Sequence, residues 1–314
     1  MSTLTRRMGR SGVEVSALGV GCWAMGGRDW GGGADDAESI ESLRRAVELG
    51  VNLFDTAEGY GSGRSEQVLG EALRGSRDGV VIATKFTASS PESVRHACEE
   101  SLRRLQTDYI DLYQFHLNDY GPDGAEKVRE VLEELVSSGK IRWYGWSTDF
   151  PNRAKIFAEG PHCTAVQVQL NVLDDAPEIL SVCEEHDLAA IDRGPLAMGL
   201  ATGKYTADRD PLPDDDIRRR TPEWMKYFVD GRPSPEWLSR LDAVIEILRS
   251  GGRTPAQGAI AWLWARSERN LPIPGFRSRA QIEENCRALE YGPLTAEQLA
   301  EIEVLLGRNP AETG

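Results

Sequence analysis

Short apolar segments alternate with amphipathic segments along almost the whole chain. The apolar segments are rich in β-branched residues, which favours strands, whereas amphipathic segments are typical of surface helices. Eight strands are predicted, at 18–22, 51–55, 80–85, 110–116, 141–147, 165–170, 188–192 and 271–274. The helices that follow them are predicted at 37–49, 65–73, 91–105, 125–138, 151–158, 176–186, 236–248 with 256–266, and 279–289. This alternation predicts an α/β protein with a parallel sheet.

Eight consecutive βα units favour closure into a (β/α)8 TIM barrel over an open doubly wound sheet. Three segments lie outside this repeat. The chain before the first strand predicts a β-hairpin with its turn at Ser11-Gly12, and 294–307 predicts a C-terminal helix. Segment 206–235, after the seventh strand, is long enough to be a lid or binding loop. No change of composition divides the chain, so residues 1–314 are expected to form a single barrel domain.

Four polar residues recur at the ends of successive predicted strands. Asp55, Lys85, His116 and Ser147 are separated by 30, 31 and 31 residues, which is one βα unit each time. Successive strands of such a barrel are neighbours, and their carboxyl ends share the face that holds active sites. The period therefore predicts that these side chains meet at one mouth of the barrel.

Tyr60 lies five residues after Asp55, in a glycine-rich loop that can fold back over this mouth. If Lys85 points into the barrel it is partly desolvated, and Asp55 on the adjoining strand is its counter-ion. Such a set indicates proton transfer to a carbonyl oxygen. A cation about 4 Å from a phenol favours the phenolate by roughly three pKa units, so we expect the pKa of Tyr60 to be lowered towards neutrality. His116 is expected to hold the substrate oxygen as a neutral hydrogen-bond donor.

Four segments resemble the aldo-keto reductase family: 54–66 (FDTAEGYGSGRSE), 109–116 (YIDLYQFH), 139–142 (GKIR) and 195–199 (PLAMG). The resemblance runs from about residue 18 to about residue 285, with the motifs in the family's order. It implies a (β/α)8 barrel that binds NADPH/NADP+ without a Rossmann domain. It also implies the reversible reduction of aldehydes, ketones or sugar-like carbonyl compounds by an NADP-dependent oxidoreductase.

The resemblance assigns roles by position. It implies that the catalytic residues are Asp55, Tyr60, Lys85 and His116, with Tyr60 as the general acid. The positions that hold the nicotinamide end of the cofactor are Ser147, Gln167 and Arg193. The phosphate and adenosine end corresponds to Leu196, Gly199, Gly275, Arg277, Gln281, Glu284 and Asn285. Arg277, at the start of a predicted helix, suits the 2′-phosphate because it adds guanidinium charge to free backbone donors.

Three positions depart from the family's usual pattern. Thr148 stands where an asparagine is usual, and Arg193 stands where an aromatic side chain usually stacks on the nicotinamide. Trp146 replaces a smaller apolar residue, and strand parity points it away from the barrel interior. The residues expected to line the substrate pocket are Trp23, Trp30 and Phe86.

The composition limits the kinds of partner that the protein is expected to bind. The 314 residues include 36 basic and 50 acidic side chains, a net charge of −14 that argues against nucleic acid or an anionic membrane. No apolar run is long enough for a membrane span or a signal peptide, and the five scattered cysteines are typical of reduced thiols, so a cytoplasmic location is expected. No metal-binding motif is present. A small carbonyl compound is the expected partner, and the oligomeric state is left open.

Two other functions compete with a reductase. Lys85 on a barrel strand could form a Schiff base, as in an aldolase, but a lysine paired with Asp55 stays protonated and is a poor nucleophile. A cofactor-sensing subunit with little turnover is the second alternative. The complete set of acid, base and histidine argues against it.

Overall fold

The structure is a computed structural model that describes residues 4–27 and 29–308. A hairpin of β1 (Thr5–Arg7) and β2 (Glu14–Ser16) comes first. Eight parallel strands follow, each hydrogen-bonded to the next. They are β3 (Val20–Gly21), β4 (Leu53–Asp55), β5 (Val81–Phe86), β6 (Ile110–Phe115), β7 (Ile141–Ser147), β8 (Cys163–Gln169), β9 (Ala189–Arg193) and, last in the chain, β12 (Asn270–Pro272).

Backbone hydrogen bonds between the first and last strands close the sheet into a barrel. The amide of Gly19 donates to the carbonyl of Pro272 over 2.9 Å, and that of Gly21 donates to Pro274 over 3.0 Å. A β-carbon on Gly21 would lie 2.6 Å from the carbonyl oxygen of Ile273, so the close approach of the two strands requires glycine there. The predicted (β/α)8 barrel is confirmed.

Helices cover the outside of the barrel and follow the strands in the predicted order. They are α1 (Asp36–Glu48), α2 (Arg64–Ala72), α3 (Pro91–Leu105), α4 (Pro122–Ser137), α5 (Pro151–Ala158), α6 (Pro177–Glu185), α8 (Pro235–Leu248), α9 (Pro255–Arg266) and α10 (Arg279–Tyr291), with α7 (Ile217–Arg220) in the segment before α8. The C-terminal helix α11 (Ala296–Leu305) packs on α8 and α9. Reciprocal capping boxes start α3, α9 and α11, so that side chains satisfy backbone N–H groups at each of these helix starts.

Alternating strand residues build two apolar layers. Leu53, Ala83, Leu112 and Ile191 point inwards and fill the barrel interior. The side chains between them point outwards and pack under the helices. Met8 of the N-terminal hairpin belongs to the interior layer, so the hairpin plugs the amino-terminal end of the barrel. The opposite, carboxyl end is left for a cavity.

The segment 206–235 contains structure that the sequence did not predict. It holds α7 and a short hairpin of β10 (Phe228–Val229) and β11 (Arg232–Pro233). Arg218 of α7 is buried, forms an ion pair with Asp216 and donates to the hydroxyl of Tyr205 over 2.6 Å. The segment lines the cavity, but it is fastened by buried polar contacts rather than being an open loop.

No helix in 4–27 or 29–308 is long and apolar enough to cross a membrane.

A carboxyl group lies buried between the barrel and its helices. Asp192 on β9 is fully buried, and within the described residues neither of its carboxylate oxygens accepts a hydrogen bond. Burial raises the pKa of Asp192 well above its ordinary value, and the opposing effect of Arg6 is smaller. The folded protein therefore keeps a proton on Asp192 at pH values at which the unfolded chain releases it.

We expect Asp192→Asn to stabilise the protein increasingly as the pH rises. Because the pKa is raised in the folded state, the free energy of unfolding of the wild type falls by up to about 1.4 kcal/mol per pH unit above the ordinary aspartate pKa of about 4. The asparagine side chain does not titrate, so the variant does not lose stability in this way. Urea unfolding at about pH 5 and about pH 8 measures the free energy of unfolding of both proteins. A difference between variant and wild type that stays constant with pH would contradict the prediction.

Candidate active site

The carboxyl ends of the strands open into a cavity of about 1410 Å³. Its wall is completed by the loop after β3 and by the segment 206–235. Of the residues predicted for catalysis or binding, those that line it are Trp23, Trp30, Asp55, Tyr60, His116, Ser147, Gln167, Arg193, Leu196, Gly199, Gly275, Arg277, Gln281, Glu284 and Asn285. The structure thus brings nearly all of the predicted set to one site.

Lys85 lies beneath Asp55 and Tyr60, which line this cavity, and is fully buried. Its ammonium donates to Asp55 Oδ1 over 2.5 Å, to the carbonyl of Thr56 over 2.8 Å and to the hydroxyl of Tyr60 over 3.1 Å. An ammonium has three N–H groups, so all of them are used. Since the Tyr60 hydroxyl accepts from Lys85, its own hydrogen remains to be donated to another group.

The second oxygen of the Asp55 carboxylate is held by two buried amides. Gln114 on β6 donates to Oδ2 over 3.1 Å, and Gln167 on β8 donates to the same atom over 2.9 Å. Sequence reasoning missed Gln114. The signal was available, because Gln114 has the same strand parity as Leu112, which points into the barrel.

Burial dominates the protonation state of Tyr60. It raises the pKa of the phenol, and the nearby Lys85 ammonium offsets only part of this effect. The predicted lowering towards neutrality is therefore wrong, because that estimate counted the cation and left out the cost of burying a phenolate. Tyr60 keeps its proton at neutral pH and can serve as an acid.

The charges of the other two groups are also set by burial and by neighbours. Burial alone would lower the pKa of Lys85, but Asp55 and Tyr60 outweigh it, so that this pKa is raised and the ammonium persists. Burial, with Lys85 and Arg193, lowers the pKa of His116 to about 3. His116 is thus a neutral imidazole throughout the physiological range, as the sequence predicted.

The far end of the cavity carries a guanidinium and the start of a helix. Ser278 accepts a hydrogen bond from the amide of Gln281 and so begins α10, whose free N–H groups face this end. The side chain of Gln281 accepts from the amide of Arg277 over 2.7 Å. The guanidinium of Arg277 donates to the carbonyl oxygens of Trp30 and Gly31, so it ties the loop after β3 to this end of the cavity.

Comparison with known proteins identifies the family. The model of the aldo/keto reductase family matches residues 17–306. The chain belongs to the aldo/keto reductase family. Its members are enzymes, and this one is accordingly an oxidoreductase.

Relatives and solved structures agree with this assignment over nearly the full length. The aldo-keto reductase YhdN of Bacillus subtilis (strain 168) is 33% identical over 87% of this chain and 85% of the relative. A Klebsiella pneumoniae aldo-keto reductase solved in complex with NADPH is 30% identical, with a TM-score of 0.75 over 99% of this chain and 97% of that one. The glycerol dehydrogenase of Gluconobacter oxydans is 29% identical, with a TM-score of 0.82 over 99% and 98%.

In this aldo-keto reductase, Arg193 enters the cavity as part of a polar cluster. Its guanidinium donates to Gln169 Oε1 over 3.0 Å and pairs with the carboxylate of Asp149. Gln169 in turn donates to the hydroxyl of Tyr227 over 3.0 Å. A planar, fixed guanidinium therefore stands where the family usually has an aromatic ring.

The other two departures from the family pattern point away from the cavity. The hydroxyl of Thr148 donates to the carbonyl of Asn118 over 2.7 Å and accepts from the amide of Phe150, which makes it a loop-holding residue. Trp146 is fully buried on the outside of β7, where its ring centroid lies 4.7 Å from that of Phe157 on α5. Its predicted outward orientation is confirmed.

One of the expected substrate-pocket residues lies elsewhere. Phe86 is fully buried and stacks on Tyr113 with ring centroids 4.4 Å apart, beneath the helices. The reason is strand parity: Lys85 points into the barrel, so its neighbour Phe86 must point out. Phe86 therefore lies outside the candidate site. Trp23 and Trp30 do line the cavity, with ring centroids 5.0 Å apart.

Removing one partner of the Lys85–Asp55 pair should cost more stability than replacing both. Lys85→Met leaves a buried carboxylate without its cation, which we expect to lower the free energy of unfolding by about 3–5 kcal/mol. The double variant Lys85→Met/Asp55→Asn removes both charges, and its asparagine oxygen can still accept from the two amides, so it should unfold at higher urea than the single variant. If the free energy of unfolding of the double variant falls by as much as the losses of the two single variants added together, the prediction is contradicted.

Proposed function

We propose that this enzyme reduces an aldehyde, a ketone or a sugar-like carbonyl compound to the alcohol, with NADPH as the reductant. The observation that carries the proposal is the contact between Lys85 Nζ and the Tyr60 hydroxyl. It leaves the phenolic hydrogen as a donor at the cavity surface, and the raised pKa of Tyr60 keeps that hydrogen in place at neutral pH.

Each group of the cluster has a part in the proton transfer. Tyr60 donates its proton to the carbonyl oxygen, and the Lys85 ammonium stabilises the phenolate that remains. Neutral His116 donates a hydrogen bond to the same oxygen, which orients the carbonyl group. Asp55 holds Lys85 in place from below. NADPH, when bound, supplies the hydride that reaches the carbonyl carbon.

The residues present fit such a cofactor. Ser147 ends β7 and pairs in register with Gln167 on β8, and both line the cavity, where an amide-bearing ring can meet hydroxyl and carbonyl acceptors. Leu196 and Gly199 lie along the middle of the cavity. Arg277 and the N-terminus of α10 provide positive charge and free N–H groups at the far end, as a phosphate requires. The NADPH complex of the Klebsiella pneumoniae relative supports this assignment.

Gln281, Glu284 and Asn285 on α10 complete the proposed adenosine end. All three line the cavity. The amide of Asn285 also donates to the carbonyl of Gly275 over 3.5 Å, which holds the start of this wall to the helix. Arg193 is proposed to lie against the nicotinamide end in place of the usual aromatic ring.

Tryptophans form the proposed substrate wall. Trp23 stacks on Tyr60 with ring centroids 6.0 Å apart, and Trp30 meets Trp23 edge to face. Trp224 from the segment 206–235 approaches Trp23 to 6.2 Å and is 54% exposed. A carbonyl compound that reaches Tyr60 and His116 passes between these rings.

The competing functions fit the site less well. A Schiff-base aldolase needs a neutral amine, but Lys85 has a raised pKa and donates all three of its N–H groups. A cofactor-sensing subunit with little turnover would not need a proton donor held by Lys85 and a neutral His116 at the same mouth. We therefore favour the reductase.

We also propose the partners, the cellular compartment and the domain organisation of the enzyme. The net charge of −14 argues against nucleic acid as a partner. All five cysteines lie within the described residues as buried free thiols, which favours a reducing, cytoplasmic compartment. Residues 1–314 are proposed to act as one domain.

Tyr60→Phe should abolish reduction without preventing cofactor binding. Removing the proton donor is expected to lower kcat by a factor of about 100 to 10,000, because general acid catalysis is lost. NADPH oxidation with a panel of aldehydes and ketones measures it, and fluorescence titration measures the Kd for NADPH. Tyr291→Phe, which removes a hydroxyl from the surface of α10, is the matched control. Turnover by Tyr60→Phe at the wild-type rate would rule out the proposed mechanism.

Arg277→Ala should weaken NADPH much more than NADH. The guanidinium is proposed to meet the 2′-phosphate, which NADH lacks, so the Kd for NADPH should rise about ten- to a hundredfold. Arg279→Ala, at the first residue of α10 and two residues after Arg277, is the matched control because Arg279 pairs with Glu283. Equal loss of affinity for both cofactors would refute this role of Arg277.

A further inference from the structure

Gln114 lies at the centre of the polar layer that closes the barrel interior beneath the cavity. It is fully buried on β6, in register with Lys85 on β5 and with Gly145 on β7. Glycine, which has no side chain, thus lies on one side of Gln114, and the strand that carries Lys85 lies on the other. A buried amide in such a place needs partners for its hydrogen-bonding groups.

Gln114 finds its partners in Asp55 and Gln167. Its Nε2 donates to Asp55 Oδ2 over 3.1 Å, and its Oε1 accepts from Gln167 Nε2 over 3.3 Å. Gln167 Nε2 also donates to Asp55 Oδ2 over 2.9 Å. Because a carboxylate can only accept, both amides must present their NH2 groups to it, and this fixes the orientation of each amide.

These bonds fix the carboxylate of Asp55 in one rotational position. Oδ2 is held by the two amides, so Oδ1 is directed at Lys85. Without Gln114 one of these anchors is lost, and the carboxylate can turn away from the line that leads through Lys85 to Tyr60. A small misplacement at such a distance from the reacting atoms is enough to slow a reaction.

The same contacts determine what Gln167 can offer to a ligand. The two N–H groups of its amide are used by Asp55 and by Gln114. Only its Oε1 remains, so a ligand that meets Gln167 must donate a hydrogen bond to it. Gln114 therefore sets the direction of Gln167 as well as that of Asp55.

We propose that Gln114 is a positioning residue of this enzyme, which orients the Asp55 carboxylate towards Lys85 and turns the Gln167 carbonyl towards the cofactor. This inference rests on the proposed reductase function. Gln114 acts through Asp55 and Gln167 and does not itself touch the reacting atoms. The rival interpretation is that Gln114 only fills space in the barrel.

Several charged or titratable groups surround the pair formed by Asp55 and Gln114. They are Cys22 after β3, Tyr60 after β4, Lys85 on β5, His116 after β6 and Arg193 on β9. His116 stays neutral, and burial raises the pKa of the Cys22 thiol, so neither changes its charge near neutral pH. Lys85 lowers the pKa of Tyr60, so an ammonium that Asp55 no longer holds at the Tyr60 hydroxyl should offset less of the effect of burial and leave this pKa higher.

Gln114→Met tests the proposal, because methionine has nearly the shape of glutamine but cannot form these hydrogen bonds. We expect kcat for carbonyl reduction to fall about ten- to a hundredfold, since a hydrogen bond to a charged group is lost. The reverse oxidation of an alcohol requires a deprotonated Tyr60, so its rate should reach half of its maximum at a higher pH than in the wild type. The Kd for NADPH should rise as Gln167 loses its fixed orientation.

Gln114→Glu is the second variant. A protonated glutamate donates one O–H to Asp55 and still accepts from Gln167, so it can replace the amide. Its reductase activity should approach that of the wild type at low pH and fall as the pH rises, because a deprotonated glutamate repels Asp55. Tyr113→Phe, on the same strand but facing the helices, is the matched control and should keep the wild-type kcat and pH profile.

The outcomes separate this inference from the proposed function. If the wild type reduces carbonyl compounds but both Gln114 variants keep its normalised pH profile and its Kd for NADPH, the positioning role is overturned, even where kcat falls. If the wild type neither binds NADPH nor oxidises it with any carbonyl compound, the reductase proposal itself is overturned. The proposed role is supported if the reductase activity of Gln114→Glu depends on pH as described while that of Gln114→Met is lowered at every pH.

Discussion

The buried ammonium of Lys85 is the constraint on which the rest of the site depends. A lysine charge removed from water is costly unless it is paired and fully hydrogen-bonded. Here a carboxylate, a backbone carbonyl and a phenol satisfy it completely. The carboxylate of Asp55 must in turn be satisfied, and buried amides on two further strands do so. The top layer of the barrel is therefore polar because one cation lies within it, and the apolar layers below carry the packing.

The same arrangement explains why the site holds protons where a carbonyl reductase needs them. Burial works against every charged form, so Tyr60 keeps its proton and His116 stays neutral. Lys85 nevertheless remains charged, because Asp55 and Tyr60 are close enough to outweigh the cost of its burial. Arg193 adds a second cation near the mouth, but Asp149 pairs with it and limits its effect on the neighbouring groups. Two neutral donors thus face the cavity with the ammonium directly behind one of them.

Sequence reasoning predicted which residues meet at this site better than it predicted their pKa values. The 30- or 31-residue period placed Asp55, Lys85 and His116 correctly because strand ends of a barrel share a face, and the strand over Ile141–Ser147 was predicted to the residue. The pKa of Tyr60 was predicted in the wrong direction because Tyr60 lies in a loop, where no strand or helix periodicity indicates that the side chain is buried. The predictions for Phe86 and Gln114 failed for a different reason. Side chains alternate along a strand, so the inward direction of Lys85 and Leu112 already places Phe86 outside the barrel and Gln114 inside it. The structure within 206–235 could not be predicted, because buried contacts with distant loops hold it.

The seam that closes the barrel links the two halves of the cavity. Gly21 and Gly275 pair across it, and the chain leaves Gly21 towards Trp23 and leaves Gly275 towards Arg277. The proposed substrate wall and the proposed anion-binding end therefore start from one point of backbone contact, at which a side chain on Gly21 would collide with the carbonyl of Ile273. The two walls meet again where Arg277 donates to the carbonyls of the loop after β3. The backbone contacts that close the barrel thus also hold the two walls together, and a change that opens the seam must disturb both walls.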